Sequence, residues 1–257
     1  MPRANRYIVP GAIYHVTHRC HDRAFLFRFA KDRDTYRAML RDRLQRHPVA
    51  ALGYCITSDH MHLLLQVRDG GVEALAHFMQ TLEGEFAQHY NLRKQRRGAF
   101  WSDRYLAVMI DSGEYLWRCL RYIDLNMVRA GVVRDPAEWA WCGYGELTGL
   151  RRRYRVINLT ACAELLGHGQ PLEGVARHYR ATVEAALAQR VFAREAVWTE
   201  SLAVGGESFV RTMAERIRNR LAVETEKTTG GLWRVCEPAK PYSLIPAPRS
   251  GAKDSKS

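Results

Sequence analysis

The sequence has no Cys-x-x-Cys pair, no long apolar run and no recognisable internal repeat. Six cysteines are dispersed through 257 residues, which excludes a disulfide framework and predicts reduced thiols. No apolar segment approaches the roughly 18 residues that a membrane helix needs. The basic N-terminus also lacks the apolar stretch that follows in a secretory signal. We therefore expect a globular protein of the cytoplasm with no membrane association.

Acidic residues are comparatively few, with 27 Asp and Glu against 39 Lys and Arg, for a net charge of +12 at pH 7. The basic excess recurs in two runs, at 93–97 and 151–155. Basic residues are interleaved with tryptophan and tyrosine side chains, which can stack on unpaired bases. A polyanion is the expected partner, and a solvated basic surface is the simpler alternative for each single run.

One stretch combines a turn with an apolar strand that begins with two histidines, Thr57-Ser58-Asp59-His60-Met61-His62-Leu63-Leu64-Leu65-Gln66-Val67. Because side chains alternate between the two faces of a strand, His60 and His62 are predicted to share one face. Two imidazoles on one face can bind a single metal ion. The alternative is a half-buried strand whose histidines meet only water or a carboxylate. The His- and Cys-containing segment at 15–21 lacks the second ligand pair of a zinc site.

The predicted elements follow the order strand, helix, strand, strand, helix, strand, helix. The strands are predicted at 12–17, 49–56, from residue 60 onward and at 100–110, and the helices at 32–46, 70–97 and 113–130. Asp111 and Ser112 are predicted to cap the last helix. An α+β fold with an antiparallel sheet and helices on one face, the ferredoxin-like or RRM-like plan, fits this order. That plan leaves the other face of the sheet free.

The sequence changes character beyond residue 150. Residues 174–194 and 207–221 have a helical pattern, whereas residues from 237 onward are rich in Pro, Ser, Ala and Lys without periodicity. We therefore divide the chain into a domain at 1–150, a helical C-terminal extension at 151–236 and a disordered tail at 237–257. The extension is a candidate DNA-binding segment.

Two polar side chains, Tyr122 and Asn126, lie one turn apart on the predicted helix at 113–130. They flank an apolar stripe formed by Leu116, Cys119, Leu120, Ile123, Met127 and Ala130. Tyr115 borders the same stripe, but one turn beyond it lies Cys119, which faces the core and is not a ligand for a hard ion. For Tyr122 the simpler alternative is a surface tyrosine that only packs its ring.

Taken together, these features resemble the HUH single-tyrosine transposases, and among them the REP-associated tyrosine transposases. The motifs follow the family's order over residues 7 to about 145: Tyr14-His15-Val16-Thr17, His60-Met61-His62, 98–105 and 121–130. Residues 198–205 resemble the C-terminal extension of longer members. The chain departs from the family pattern at Asn126-Met127, usually Asn-Pro, and at Trp141-Cys142-Gly143-Tyr144, usually Trp-Ser-Ser-Tyr.

The resemblance implies a metal-dependent single-strand DNA endonuclease and strand transferase, in the bacterial cytoplasm and associated with DNA, that cuts beside hairpins or palindromic repeats. Tyr122 would be the nucleophile and would remain as a 5′-phosphotyrosine. His60, His62 and the Asn126 amide oxygen would bind Mg²⁺ or Mn²⁺. The partner would be single-stranded or hairpin DNA, bound by a monomer or homodimer. Residues expected to contact the DNA are His15, Arg19, Arg96, Arg97, Trp101, Arg104, Arg118, Arg121 and Arg129.

Two other functions compete with this interpretation. A binding protein built on the same small sheet would hold single-stranded nucleic acid without cutting it, and a covalent protein–DNA adduct separates the two. A histidine-triad hydrolase would use paired histidines on a phosphate. Leu64 occupies the position where that family has its third histidine, which counts against this alternative.

Overall fold

The computed structural model describes residue 9 and residues 11–68, 73–166, 171–219 and 221–238. The predicted tail, apart from residues 237 and 238, and the predicted start of the second helix at residue 70 lie outside these residues. The elements of the first half are β1 (Ile13–Arg19), α1 (Ala30–Arg46), β2 (Val49–Ile56), β3 (His60–Val67), α2 (Ala74–Lys94), β4 (Leu106–Ile110), α3 (Glu114–Asp124), α4 (Asn126–Arg129) and α5 (Tyr144–Leu147).

The second half contains both helices and short strands. Its elements are α6 (Leu159–Leu166), α7 (Leu172–Ala188), α8 (Val197–Glu200), β5 (Ala203–Gly205), α9 (Glu207–Arg218), β6 (Glu224–Lys227) and β7 (Trp233–Cys236). Single 3₁₀ turns lie at His21–Arg23 and Pro136–Glu138. The prediction of a helical extension is therefore incomplete, because three strands were not recognised in it.

The sheet has the strand order β2-β3-β1-β4-β5-β7-β6. Its first four strands are antiparallel neighbours in the order of the ferredoxin-like plan, which confirms the α+β fold predicted from the sequence. The register of β1 with β3 places Thr17 beside His62 and Arg19 beside His60. The outer edge of β2 is paired by residues 141–143, since Gly143 N–H donates to the Tyr54 carbonyl at 2.8 Å. That edge strand is thereby covered.

Helices cover both faces of the sheet, so the face expected to be free is occupied. On one face His18 of β1 contacts α2, with its Nδ1 3.0 Å from Glu83 Oε2. On the opposite face α3 packs on β2, where a Cβ at Gly53 would overlap the side chain of Leu120. Glycine at this position allows the close approach. Because helices lie on both faces of the sheet, β3 is buried on both faces rather than half-buried, and His62 is 3 % exposed.

The C-terminal extension joins the sheet through β5, which pairs in parallel with β4. Asp111 supports this junction, because its Oδ2 accepts a hydrogen bond from Gly206 N–H at 3.1 Å. Asp111 therefore does not cap α3 as predicted; the residue preceding that helix is Gly113, at a φ of 66° that favours glycine. One continuous sheet thus runs across the predicted division at residue 150.

The predicted helix at 113–130 is interrupted at Leu125, whose ψ of 5° separates α3 from α4. Asp124, directly before the interruption, is 1 % exposed. Its Oδ2 accepts a hydrogen bond of 2.7 Å from the Tyr179 hydroxyl of α7. The end of α3 is therefore attached to the extension by a buried contact, and Asn126 begins a new helical turn.

The cysteines behave as the sequence predicts. All six are free thiols, and five of them are buried. Burial raises the pKa of Cys55 well above its usual value and keeps its thiol protonated. Among the described helices, none is long and apolar enough to span a membrane.

Candidate metal and tyrosine site

The two histidines of β3 lie together at the start of the strand, next to the turn at 57–59. As the strand alternation predicts, they share one face, with ring centroids 4.9 Å apart. His60 is at the margin of the site and His62 is inside it. The two imidazoles can therefore bind the same metal ion.

The turn orients the ring of His60. Its Nδ1 lies 2.6 Å from Asp59 Oδ1 and 3.0 Å from the Thr57 hydroxyl. A carboxylate that accepts from one ring nitrogen fixes the tautomer and leaves the other nitrogen as the ligand atom. The turn thus leaves Nε2 of His60 as the nitrogen that can bind a metal.

His62 has a partner at each ring nitrogen. Its Nδ1 lies 2.9 Å from Nε2 of His15, and its Nε2 lies 2.9 Å from the Asn126 side-chain nitrogen. His15 in turn has its Nδ1 2.8 Å from the main-chain carbonyl oxygen of Trp198. Burial lowers the pKa of His15 to about 4 and the pKa of His62 well below its usual value. Both rings are therefore neutral at pH 7, the form that binds metals.

The three predicted ligands, His60, His62 and Asn126, come together although they are 66 residues apart at most in the numbering. Two imidazoles and an amide oxygen form a donor set that fits Mn²⁺ or Mg²⁺. Rotation of the Asn126 amide would turn its oxygen toward the site. Within the part of the chain that the structure describes, no three His, Cys, Asp or Glu side chains group closely enough for a metal. A site here consequently depends on Asn126 as its third ligand from the protein.

Tyr122 lies beside the histidines, with its ring centroid 6.1 Å from those of both His15 and His62. The guanidinium of Arg129 covers the ring at 4.2 Å from the centroid and also donates to the Tyr122 carbonyl at 3.1 Å. Burial raises the pKa of Tyr122, and the charge of Arg129 opposes that rise. The tyrosine nearest the predicted ligands is therefore paired with a cation that favours its phenolate.

The extension closes over this tyrosine. The Trp198 ring lies 6.3 Å from that of Tyr122 between centroids, and Arg129 also donates to the Phe192 carbonyl at 3.3 Å. Tyr122 is only 6 % exposed. Attack on a DNA phosphate thus requires the hydroxyl to become accessible.

Tyr115, the rival tyrosine, lies elsewhere on α3. Its hydroxyl faces the start of α9, where a Cβ at Gly206 would come within 3.2 Å of it. It therefore belongs to the junction between the first domain and the extension, whereas Tyr122 is the tyrosine that contacts the histidines.

Two residues predicted to contact DNA make contacts inside the protein, so their contact with DNA stays a prediction. His15 is 0 % exposed and binds His62 instead of facing the surface. Trp101 stacks on His18 with ring centroids 4.4 Å apart, and its indole N–H donates to the Glu83 carbonyl at 3.1 Å. Its partly buried ring is therefore held between β1 and α2.

The arginines predicted to contact DNA differ in their surroundings. Arg19, Arg97 and Arg104 are exposed, and Arg19 lies beside His60 at the margin of the site. Arg96 donates to the carbonyls of 98 and 99 and so closes the end of α2. Arg118 donates to the carbonyl of residue 230 at 3.3 Å, and Arg121 is half-buried on α3. Of this set, Arg19 pairs with His60 across the two strands, and Arg129 covers the ring of Tyr122.

Sequence reasoning missed three contributions to the site. Asp59 orients His60, and its position next to the histidine in the chain was a usable signal. His15 binds His62 across two paired strands, which requires the register of β1 against β3. Trp198 approaches from the extension, 136 positions after His62, and no local pattern indicates that contact.

Comparison with known proteins agrees with the motifs. Residues 8–126 match the family model described as Transposase IS200 like. Over 154 residues the chain is 25 % identical to a putative REP-associated tyrosine transposase of Haemophilus influenzae, covering 56 % of this chain and 86 % of that protein. These matches confirm the family resemblance predicted from the sequence.

Two solved structures are also similar. One is a REP-associated tyrosine transposase bound to a REP hairpin, with a TM-score of 0.49 and 17 % identity over 59 % of this chain and 89 % of that chain. The other is a putative transposase from Deinococcus radiodurans R1, with a TM-score of 0.33 and 17 % identity over 51 % of this chain and 91 % of that chain.

Proposed function

Because residues 8–126 match the family model described as Transposase IS200 like, we propose that this chain cuts single-stranded DNA beside a hairpin and joins the cut end to Tyr122. The observation that carries the proposal is the convergence of one tyrosine, two histidines and one amide at the margin of the sheet. The net charge of +12 favours a polyanionic substrate.

The proposed reaction is a transesterification at phosphorus. The Tyr122 oxygen forms a new bond to the scissile phosphorus, and the bond to the 3′ oxygen of the preceding nucleotide breaks. The products are a 5′-phosphotyrosine and a strand with a free 3′-hydroxyl. Attack of a 3′-hydroxyl on the phosphotyrosine reverses these changes and transfers the strand.

Each side chain has a distinct task in this proposal. Arg129 favours the phenolate of Tyr122 against the effect of burial. His60 and His62 present oriented Nε2 atoms, and Asn126 supplies an amide at the same place. A divalent ion, when bound, would polarise the scissile phosphate and stabilise the leaving oxygen. Arg19, exposed beside His60, adds positive charge where the phosphate would enter.

The test is to incubate the full chain with Mn²⁺ and a single strand that carries a hairpin and unpaired flanks. With a label at the 3′ end, the DNA is expected to migrate with the protein under denaturing conditions, because the 3′ fragment retains the 5′-phosphate. With a label at the 5′ end, the expected product is a shortened free strand. Chelation of the metal should prevent both products.

The binding-only alternative predicts a different result in the same experiment. A protein that only holds single strands would shift the DNA in a native gel yet give no cut strand and no adduct. Linkage of the 5′-labelled fragment to the protein would contradict the proposed polarity. A perfect duplex of the same sequence is the matched control, and it should form little adduct.

A further inference from the structure

We propose that the C-terminal extension is part of this site: the main-chain carbonyl of Trp198, acting through His15, fixes the tautomer of His62 that binds a metal ion. The role toward a metal rests on the proposed function, whereas the tautomer itself does not. The link consists of three hydrogen-bond contacts of 2.8, 2.9 and 2.9 Å that connect Trp198, His15, His62 and Asn126.

The direction of every proton in this link follows from its first member. A carbonyl oxygen can only accept, so Nδ1 of His15 must carry the hydrogen. A neutral imidazole carries one ring hydrogen, so Nε2 of His15 has a bare lone pair and can only accept. Nδ1 of His62 must then be the donor. This leaves Nε2 of His62 without a hydrogen, which is the state that a metal ligand needs.

The contact with Asn126 agrees with this assignment. Its side-chain nitrogen, which can only donate, lies 2.9 Å from Nε2 of His62. The opposite tautomer of His62 would place two bare lone pairs against each other between His15 and His62.

Burial makes these hydrogen bonds decide which tautomer of His62 is favoured. His15 and Trp198 are 0 % exposed and His62 is 3 % exposed, so water does not compete for these ring nitrogens. An unpaired polar group at such a position is costly. The two tautomers of His62, similar in energy in water, are therefore unequal here.

The sheet holds the carbonyl of Trp198 in place. Directly after α8, the Leu202 carbonyl accepts from Met109 N–H of β4 at 3.0 Å, and Leu202 N–H donates to the Val235 carbonyl of β7 at 2.8 Å. The chain segment that carries Trp198 is thus fixed to the strand next to β1. His15 is a positioning residue by this account, because it acts through His62.

The test measures the tautomer directly in the full chain with ¹⁵N-labelled histidine, without metal or DNA, by NMR through couplings between ring nitrogens and carbon-bound protons. In the wild type, Nδ1 of His62 should carry the hydrogen and Nε2 should be bare. His15→Phe keeps a ring in the strand but removes both nitrogens, so His62 should become a mixture of tautomers. Mn²⁺ affinity, measured by EPR titration, should fall by about 10- to 100-fold, as for other lost partners of metal-bound histidines.

Two further variants separate positioning from general damage. His15→Gln retains an acceptor toward His62 and should recover part of the Mn²⁺ affinity. His18→Phe removes another buried histidine from the same strand, one that faces α2 on the opposite side of the sheet. It should leave the tautomer of His62 and the Mn²⁺ affinity as in the wild type.

The proposal is overturned if His62 carries its hydrogen on Nε2 in the wild type, or if His15→Phe keeps both the wild-type tautomer and the wild-type affinity. If His15→Phe does not fold, the wild-type spectrum and the His15→Gln variant decide. If His15→Gln binds Mn²⁺ as weakly as a protein without the site, the acceptor role of residue 15 is contradicted. A protein with the expected tautomer that forms no DNA adduct would leave this link standing and refute the proposed function instead.

Discussion

Tyr122→Phe is expected to abolish the covalent DNA adduct and strand cleavage while leaving the fold almost unchanged. The substitution removes one oxygen, and the ring keeps its contacts with Arg129, at 4.2 Å from the centroid, and with Trp198. Activity should fall below detection because Tyr122 is the tyrosine whose ring lies beside His15 and His62. Thermal melting, Mn²⁺ affinity and hairpin binding, each measured on the same preparation, should match the wild type.

The matched control for this result is Tyr115→Phe, on the same helix but facing the extension. It should retain wild-type adduct formation. If the adduct is lost in Tyr115→Phe but kept in Tyr122→Phe, the nucleophile is Tyr115, on a different turn of α3. Adduct kept in both variants would refute tyrosine chemistry on this helix.

His60→Ala and His62→Ala are each expected to reduce cleavage by at least about 100-fold, because each removes an imidazole from the proposed metal site. Their effects on stability should differ. His60 lies at the margin, and its loss should change the melting temperature little. His62 is 3 % exposed, and its loss leaves Nε2 of His15 without its donor, which costs about 1–3 kcal/mol. Cleavage assays across a Mn²⁺ titration, together with thermal melting, measure both effects.

His89→Ala is the control for these two variants, since His89 is exposed on α2, on the opposite face of the sheet. It should show wild-type cleavage at every Mn²⁺ concentration. Full activity in both His60→Ala and His62→Ala would eliminate the metal site from the account.

The first half of the fold was predictable because its signals are local. The alternation at the start of β3 placed His60 and His62 on one face, and their ring centroids are indeed 4.9 Å apart. The apolar periodicity of α1 and α2 likewise located both helices. The order of these elements then left few antiparallel arrangements, and the ferredoxin-like order was among them.

The extension was less predictable because its strands depend on tertiary pairing. β6 (Glu224–Lys227) is a short polar segment without apolar alternation, and it is a strand because it pairs with β7. The interruption at Leu125 also leaves the helical period of the sequence intact. It is stabilised from a distance, through the buried contact of Asp124 with Tyr179.

The position of His15 illustrates the same limit within the site. Its motif marked it as important, and exposure to DNA was the natural expectation for a histidine among basic residues. Only the register of β1 against β3 brings it to His62, and only the fold of the extension brings Trp198 to His15. Local sequence therefore identified the residue but not its task.

The most direct test of the central claim is to locate the DNA on the protein by mass spectrometry of the purified adduct. Trypsin cleaves after Arg121 and Arg129, so Tyr122 is the single tyrosine of the peptide 122–129, while Tyr115 falls in the peptide 105–118. After nuclease treatment, a nucleotide 5′-phosphate is expected on the peptide 122–129. The same modification on the peptide 105–118, or no modified peptide from a reaction in which the hairpin strand was cut, would contradict the account.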